Sequence, residues 1–132
     1  MKTRVLDSWA ILEWIQGRRP GETVAGLLSE AEAGRVRLLM SAINAGEVYY
    51  VLRKHHSEAL SESWRESSPT LPVGFDVPSA DNIWSAASLK ARFPISYADA
   101  FAAALALKHA CPLITGDPEL RAVKELQIGW IG

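Results

Sequence analysis

Four carboxylates stand near places where this chain passes from one structural element to the next. Asp7 follows the apolar Arg4-Val5-Leu6 run, and Glu47 lies in the opening turns after a second such run. Asp99 opens a helix-forming stretch, and Asp117 follows Leu113-Ile114-Thr115. Each has an ordinary use as a helix cap, and Ser96-x-x-Asp99 and Asn44-x-x-Glu47 resemble capping boxes. The helix dipole also favours an acid at such positions. Taken together they imply more, because converging carboxylates repel unless they are protonated or neutralised by a cation. Oxygen-only ligands in this number suit Mg²⁺ or Mn²⁺, which keep bound waters and work with phosphates.

The elements that must position them are legible in order. Arg4–Leu6 reads as a strand, and Trp9–Ile15 as a helix stopped by Gly17. Glu22–Ala33 reads as an amphipathic helix, and Val36–Met40 as the second strand. Ser41 or Asn44 then opens a helix carrying Glu47, Val48, Val51 and Leu52 into Arg53, Lys54, His55 and His56. A polar helix over Glu58–Glu66 follows. Val73, Phe75 and Val77 alternate as a third strand. Ser79–Ala91 is helical, with Ile83, Ala87 and Leu89 or Lys90 toward its inner edge. Ser96 caps a helix over Tyr97–Ala110, rich in strong helix formers. After Asp117, with Pro118 at a first helical position, a short helix runs through Leu120, Val123 and Leu126. Ile128, Trp130 and Ile131 supply a last strand. Strands alternating with helices predict an α/β fold with a mostly parallel sheet and helices on both faces. Sites in such sheets lie beyond the carboxyl ends of the strands. Asp7, Glu47 and Asp117 then share one edge, which Asp99 reaches from a neighbouring helix.

The composition fits one soluble globular domain spanning 1–132, with 48% hydrophobic and 22% charged residues and no repeat or linker. A net charge of −1 excludes a protein that holds nucleic acid mainly by broad phosphate neutralisation. No apolar run approaches a membrane span, and Arg4, Asp7 and Glu13 interrupt the N-terminal stretch, so neither membrane insertion nor a signal peptide is expected. Cys111, the single cysteine, makes no internal disulfide, which suits a cytoplasmic location. The Trp9–Ile15 helix is apolar on nearly every side and needs cover on every side. With Val24, Leu27 and Leu28 of the next helix, Trp9 and Trp14 are expected to form a groove for another chain.

The segments VLDSWAILEWI, SAINAGEVYYVLRK and ISYADAFAAALALKHACPLITGDPEL, and the spacing between them, closely resemble PIN-domain ribonucleases, specifically VapC-type toxins of toxin–antitoxin systems. The resemblance covers nearly the whole chain, and Ala98-Asp99-Ala100 with Thr115-Gly116-Asp117 is its most specific part. It implies the PIN-like three-layer α/β/α sandwich with strand order 3-2-1-4-5. It also implies a Mg²⁺- or Mn²⁺-dependent endoribonuclease acting on structured RNA. The family's acidic positions fall on Asp7, Glu47, Asp99 and Asp117, and Thr115 matches a supporting polar position. Asp7, Asp99 and Asp117 are then metal ligands, and Glu47 is a ligand or an acceptor that positions the attacking water. A VapB-type antitoxin is the implied partner in the Trp9–Leu28 groove, with homodimerisation through a different face. Many members have an aromatic residue where this chain has Leu120, and the resemblance gives Glu119 no role. The alternative is a catalytically silent PIN scaffold that only binds protein or RNA. An aspartyl-phosphatase reading fails because the position two after Asp7 is Trp9. A phospho-receiver reading fails for want of an acidic pair after the first strand and a lysine on the last. The Arg53–His56 run is either a solvated helix end or an RNA-backbone patch.

Overall fold

The computed structural model describes residues 1–132. Its strands are β1 (Lys2–Leu6), β2 (Val36–Ser41), β3 (Gly74–Asp76), β4 (Leu113–Thr115) and β5 (Ile128–Trp130). The helices are α1 (Ser8–Ile15), α2 (Pro20–Glu32), α3 (Ala42–His55), α4 (Glu58–Ser67), α5 (Ala80–Arg92) and α6 (Tyr97–Lys108). Short 3₁₀ turns occupy Ser68–Thr70 and Pro118–Ala122. The five strands form one parallel sheet in the order β3-β2-β1-β4-β5, as expected from the sequence.

The central strand explains why the sheet has two apolar faces. Val5 pairs with Leu39 on one side and Leu113 on the other. These three side chains pack toward α5 and α6, among Ala86, Leu89, Phe101 and Leu105. The next residues along, Leu6, Met40 and Ile114, face the opposite layer with Ile11, Val24, Val48 and Trp64. Strand periodicity of two thus sends alternate side chains into separate cores, as a parallel sheet covered on both faces requires. Helix α6 is buried on almost every side, and its alanines at 100, 102, 103, 104 and 106 let it lie close to the sheet and to α3.

Several boundaries differ from the sequence expectation. Ser41 is the N-cap of α3, accepting from the Ile43 N–H at 3.2 Å, so Asn44 lies inside the first turn rather than capping it. Val77 is 80% exposed and outside β3, because the pairing ends with Ser41 opposite Asp76 and Pro78 offers no N–H to extend the ladder. Helix α5 turns Ala86 and Leu89 inward and leaves Ile83 exposed. Beyond Asp117 the chain makes a 3₁₀ turn instead of a helix reaching Leu126, although Leu120, Val123 and Leu126 are all core.

The expected groove on α1 and α2 also needs correction. A Cβ at Gly21 would meet the Glu13 carbonyl oxygen at 2.5 Å and the Trp14 Cα at 2.6 Å, so the two helices cross in near backbone contact. That close approach carries Val24 and Leu28 into the chain's own core, where they cannot line an open groove. Trp9, Trp14 and Leu27 are half-buried. No helix is long and apolar enough to cross a membrane.

Candidate active site at the carboxyl edge of the sheet

Asp7 is the first residue past the central strand and has only 1% of its surface exposed. Its Oδ1 accepts the Ala10 N–H at 2.8 Å, which makes it the N-cap of α1. Its Oδ2 is buried without any hydrogen-bonding partner. Burial pushes the carboxyl up from 3.8 to about 7, and the charges of Asp99 and Asp117 push the same way. The Thr115 hydroxyl and the Ala10 N–H oppose that rise. Capping uses one oxygen, so the other is an unpaid cost unless something else meets it.

Asp99 sits in the first turn of α6. The Ser96 hydroxyl accepts the Asp99 N–H at 3.1 Å, but no Ser96 N–H reaches back to the Asp99 carboxylate. Half of the capping box forms, and the Ser96 hydroxyl holds the Asp99 carboxyl down against the rise that burial gives it. Burial, then the charges of Asp117 and Glu47, raise Asp99 to about 7 as well. Asn44 stitches this region to α3 by donating to the Ala98 carbonyl at 3.0 Å; its own Oδ1 is buried and unpartnered.

Asp117 begins the turn after β4. Its N–H donates to the buried Thr115 hydroxyl at 3.0 Å, and its Oδ1 accepts the Glu119 N–H at 3.0 Å. That tight local folding turns Glu119 back toward the site. One carboxylate oxygen each from Asp99, Asp117 and Glu119 lies within 4.8 Å of the other two. Glu119 is therefore the residue the sequence reading left without a role. The signal was present in the Asp117-Pro118-Glu119 spacing, since Pro118 starts a 3₁₀ turn that brings the two acids together. Leu120 is fully buried core.

Asp7 and Glu47 stand outside this trio but within its electrostatic reach, Asp7 toward Asp99 and Asp117, Glu47 toward Asp99. Glu47 is held from the side by Ser8, whose buried hydroxyl donates to Oε1. The N-cap and first residue of α1 thus serve two acids, with Asp7 presented directly and Glu47 oriented through Ser8. Tyr50, one turn along from Glu47, has its hydroxyl pKa raised by desolvation and by the charges of Glu47 and Asp99. Asp99, Asp117 and Glu119 form an all-oxygen donor set with Asp7 and Glu47 in electrostatic reach; Asp7 and Asp99 are driven toward protonation, and the Asp7 Oδ2 is orphaned. That pattern fits a hard divalent cation such as Mg²⁺ or Mn²⁺, which would neutralise the cluster.

Arg53 and Cys111 have structural occupations. Arg53 is paired with Glu58 at 3.1 Å and with Glu62 at 3.8 Å, and it donates to the Tyr49 hydroxyl at 3.0 Å. Burial raises the Cys111 thiol, which disfavours the thiolate needed for reactivity.

A family model described as the PIN domain matches residues 4–126. No curated protein matches at the level of sequence. Among solved structures, VapBC from Salmonella typhimurium bound to DNA is similar at 14% identity over the full length of both chains, with a TM-score of 0.76. VapBC2 from Rickettsia felis, bound to a promoter DNA fragment, is 16% identical over 96% of each chain, with a TM-score of 0.74. VapC20 from Mycobacterium tuberculosis, a toxin that cleaves the sarcin–ricin loop, is 16% identical over 92% of this chain and 95% of its own, also at 0.74. At these identities the likeness is one of fold.

Proposed function

The chain belongs to the PIN-domain family, and on that footing we propose that it is a Mg²⁺- or Mn²⁺-dependent endoribonuclease of VapC type, restrained by a cognate antitoxin. The observation that carries this reading is the buried, unpartnered Oδ2 of Asp7 beside the converging Asp99, Asp117 and Glu119 carboxylates. A purely structural use of these acids would leave that oxygen unmet and the repulsion unrelieved.

Asp7, Asp99 and Asp117 would hold the cation, with Glu119 closing the exposed side. When bound, such an ion supplies Lewis acidity toward a phosphodiester oxygen and toward the attacking water. Glu47, aligned by Ser8, accepts a hydrogen bond from that water and orients it for in-line attack at phosphorus. Thr115 keeps the Asp117 turn in register with Asp7. The products expected are a 5′-phosphate and a 3′-hydroxyl. The antitoxin part of the reading is supported by the VapBC complexes with which the fold is shared. Support also comes from an apolar slot of about 120 Å³, walled by Trp14, Ile15, Leu52, Leu60, Trp64 and Leu71, where an antitoxin's apolar side chain would seat.

The test is cleavage of a mixed structured-RNA substrate with Mg²⁺ or Mn²⁺, with and without EDTA. Cleavage that appears only with the metal supports the reading, and cleavage that persists in EDTA overturns it.

A further inference from the structure

The face of Trp9 toward the site is occupied in an unusual way. A Cβ at Gly116 would fall 2.2 Å from Cη2, 2.4 Å from Cζ3 and 2.7 Å from Cζ2 of the Trp9 indole. The six-membered ring therefore fills the space a side chain at position 116 would need. Gly116 is itself buried, and it is held from elsewhere too. Ile131 donates its N–H to the Thr115 carbonyl at 3.0 Å, and a Cβ at Gly132 would come within 2.9 Å of the Gly116 Cα. The peptide between Thr115 and Asp117 is thus gripped between an indole from α1 and the chain beyond β5.

Trp9 lies two residues after Asp7, and Gly116 lies one residue before Asp117. One rigid ring consequently spans the two strand ends that deliver these acids. We infer that Trp9 is a positioning residue, whose indole against Gly116 sets the distance of the Asp117–Glu119 turn from Asp7 and so the geometry of the cation site. The inference rests on the metal-dependent reading above. It assigns the inward face of Trp9 to the site, in place of a role confined to a partner groove. Aromatic rings suit such a task because they present a large contact with few rotatable bonds. Groups that orient ligands without touching the metal typically change affinity by about 10- to 100-fold when altered.

The experiment is a calorimetric titration of Mn²⁺ into wild type, Trp9→Phe, Gly116→Ala and the Trp9→Phe/Gly116→Ala double variant, with apo unfolding midpoints measured alongside. Phe keeps an apolar body at the site but is too short to reach Gly116. Each single change should weaken Mn²⁺ binding by ~10-fold, the lower end of the range for outer-shell groups. The double variant should lose less than the product of the two, because the shorter ring leaves room for the added methyl. Losses that multiply, or lowered midpoints with wild-type Mn²⁺ affinity, would reduce Trp9 to ordinary packing and overturn the inference while leaving the metal reading intact. Absence of Mn²⁺ binding by wild type overturns both. If Gly116→Ala fails to fold, Trp9→Phe decides alone by the same criterion.

Discussion

Asp7 follows β1 and caps α1, whereas Asp117 follows β4 and caps a 3₁₀ turn. Both accept one backbone N–H through Oδ1, at 2.8 Å and 3.0 Å, so their local chemistry is nearly the same. Their surroundings differ. Asp7 ends the middle strand of five, is closed over by both layers and has an unpartnered second oxygen. Asp117 ends a strand nearer the edge, is half-buried, and shares its turn with the exposed Glu119. A similar cap therefore carries a costly, desolvated charge in one place and a partly solvated one in the other. The difference teaches that position in the sheet, more than the capping motif, sets what a carboxylate contributes here.

That contrast should vanish in activity and reappear in stability. Asp7→Asn, Asp99→Asn and Asp117→Asn should each lower Mn²⁺-dependent RNA cleavage by more than ~100-fold, beyond the range seen for groups that only support ligands. Initial rates with saturating Mn²⁺ check this, and a variant retaining most of its activity removes that residue from the ligand set. In EDTA at pH 8 the two caps should part. Asn is about as good an N-cap as Asp, so Asp117→Asn should keep the cap and raise the unfolding free energy only slightly, by relieving the repulsion of Asp7 and Asp99. Asp7→Asn should raise it by roughly 2 kcal/mol, because it removes a desolvated charge and keeps the cap. Urea titrations measure both, and equal effects would erase the comparison.

The pH dependence sharpens the same point. Asp7 and Asp99 bind protons with folded pKa values about 7 against an ordinary 3.8, so between those values the folded state holds protons that the unfolded state has released. Stability in EDTA should accordingly be greatest near the lower value, fall as pH rises toward 7, and level off above it. Asp7→Asn should flatten that fall and Asp117→Asn should largely preserve it, as thermal midpoints across the range will report. The smallest effect expected is at Ser8→Ala, which deletes the bond to Glu47. A loss of about 1 kcal/mol of transition-state stabilisation, some fivefold in kcat, should follow, with Ser8→Thr recovering part of it.

How much of this was readable in advance follows the range of the interactions involved. The element order and parallel sheet were readable because they follow from local periodicity, caps and breakers. The Ser96 cap of α6 could be recognised from residue type and position alone. The order 3-2-1-4-5 came from family resemblance, since periodicity does not say which strands are neighbours. The misplaced groove has a cause the sequence pattern does not carry. Val24 and Leu28 look available on a helical wheel, but Gly21 lets α2 approach α1 so closely that both are enclosed.

The sequence by itself determined which residue types could do chemistry, and that Asp7, Glu47, Asp99 and Asp117 would gather near one sheet edge, because strand ends and helix starts are local features. Tertiary structure alone decided their electrostatic inequality, the approach of Asp99 to the Asp117–Glu119 turn, and the seating of Trp9 on Gly116. The physical reason is that desolvation and repulsion depend on what surrounds a group in space. For Trp9 and Gly116 that surrounding comes from segments more than a hundred residues apart in the chain.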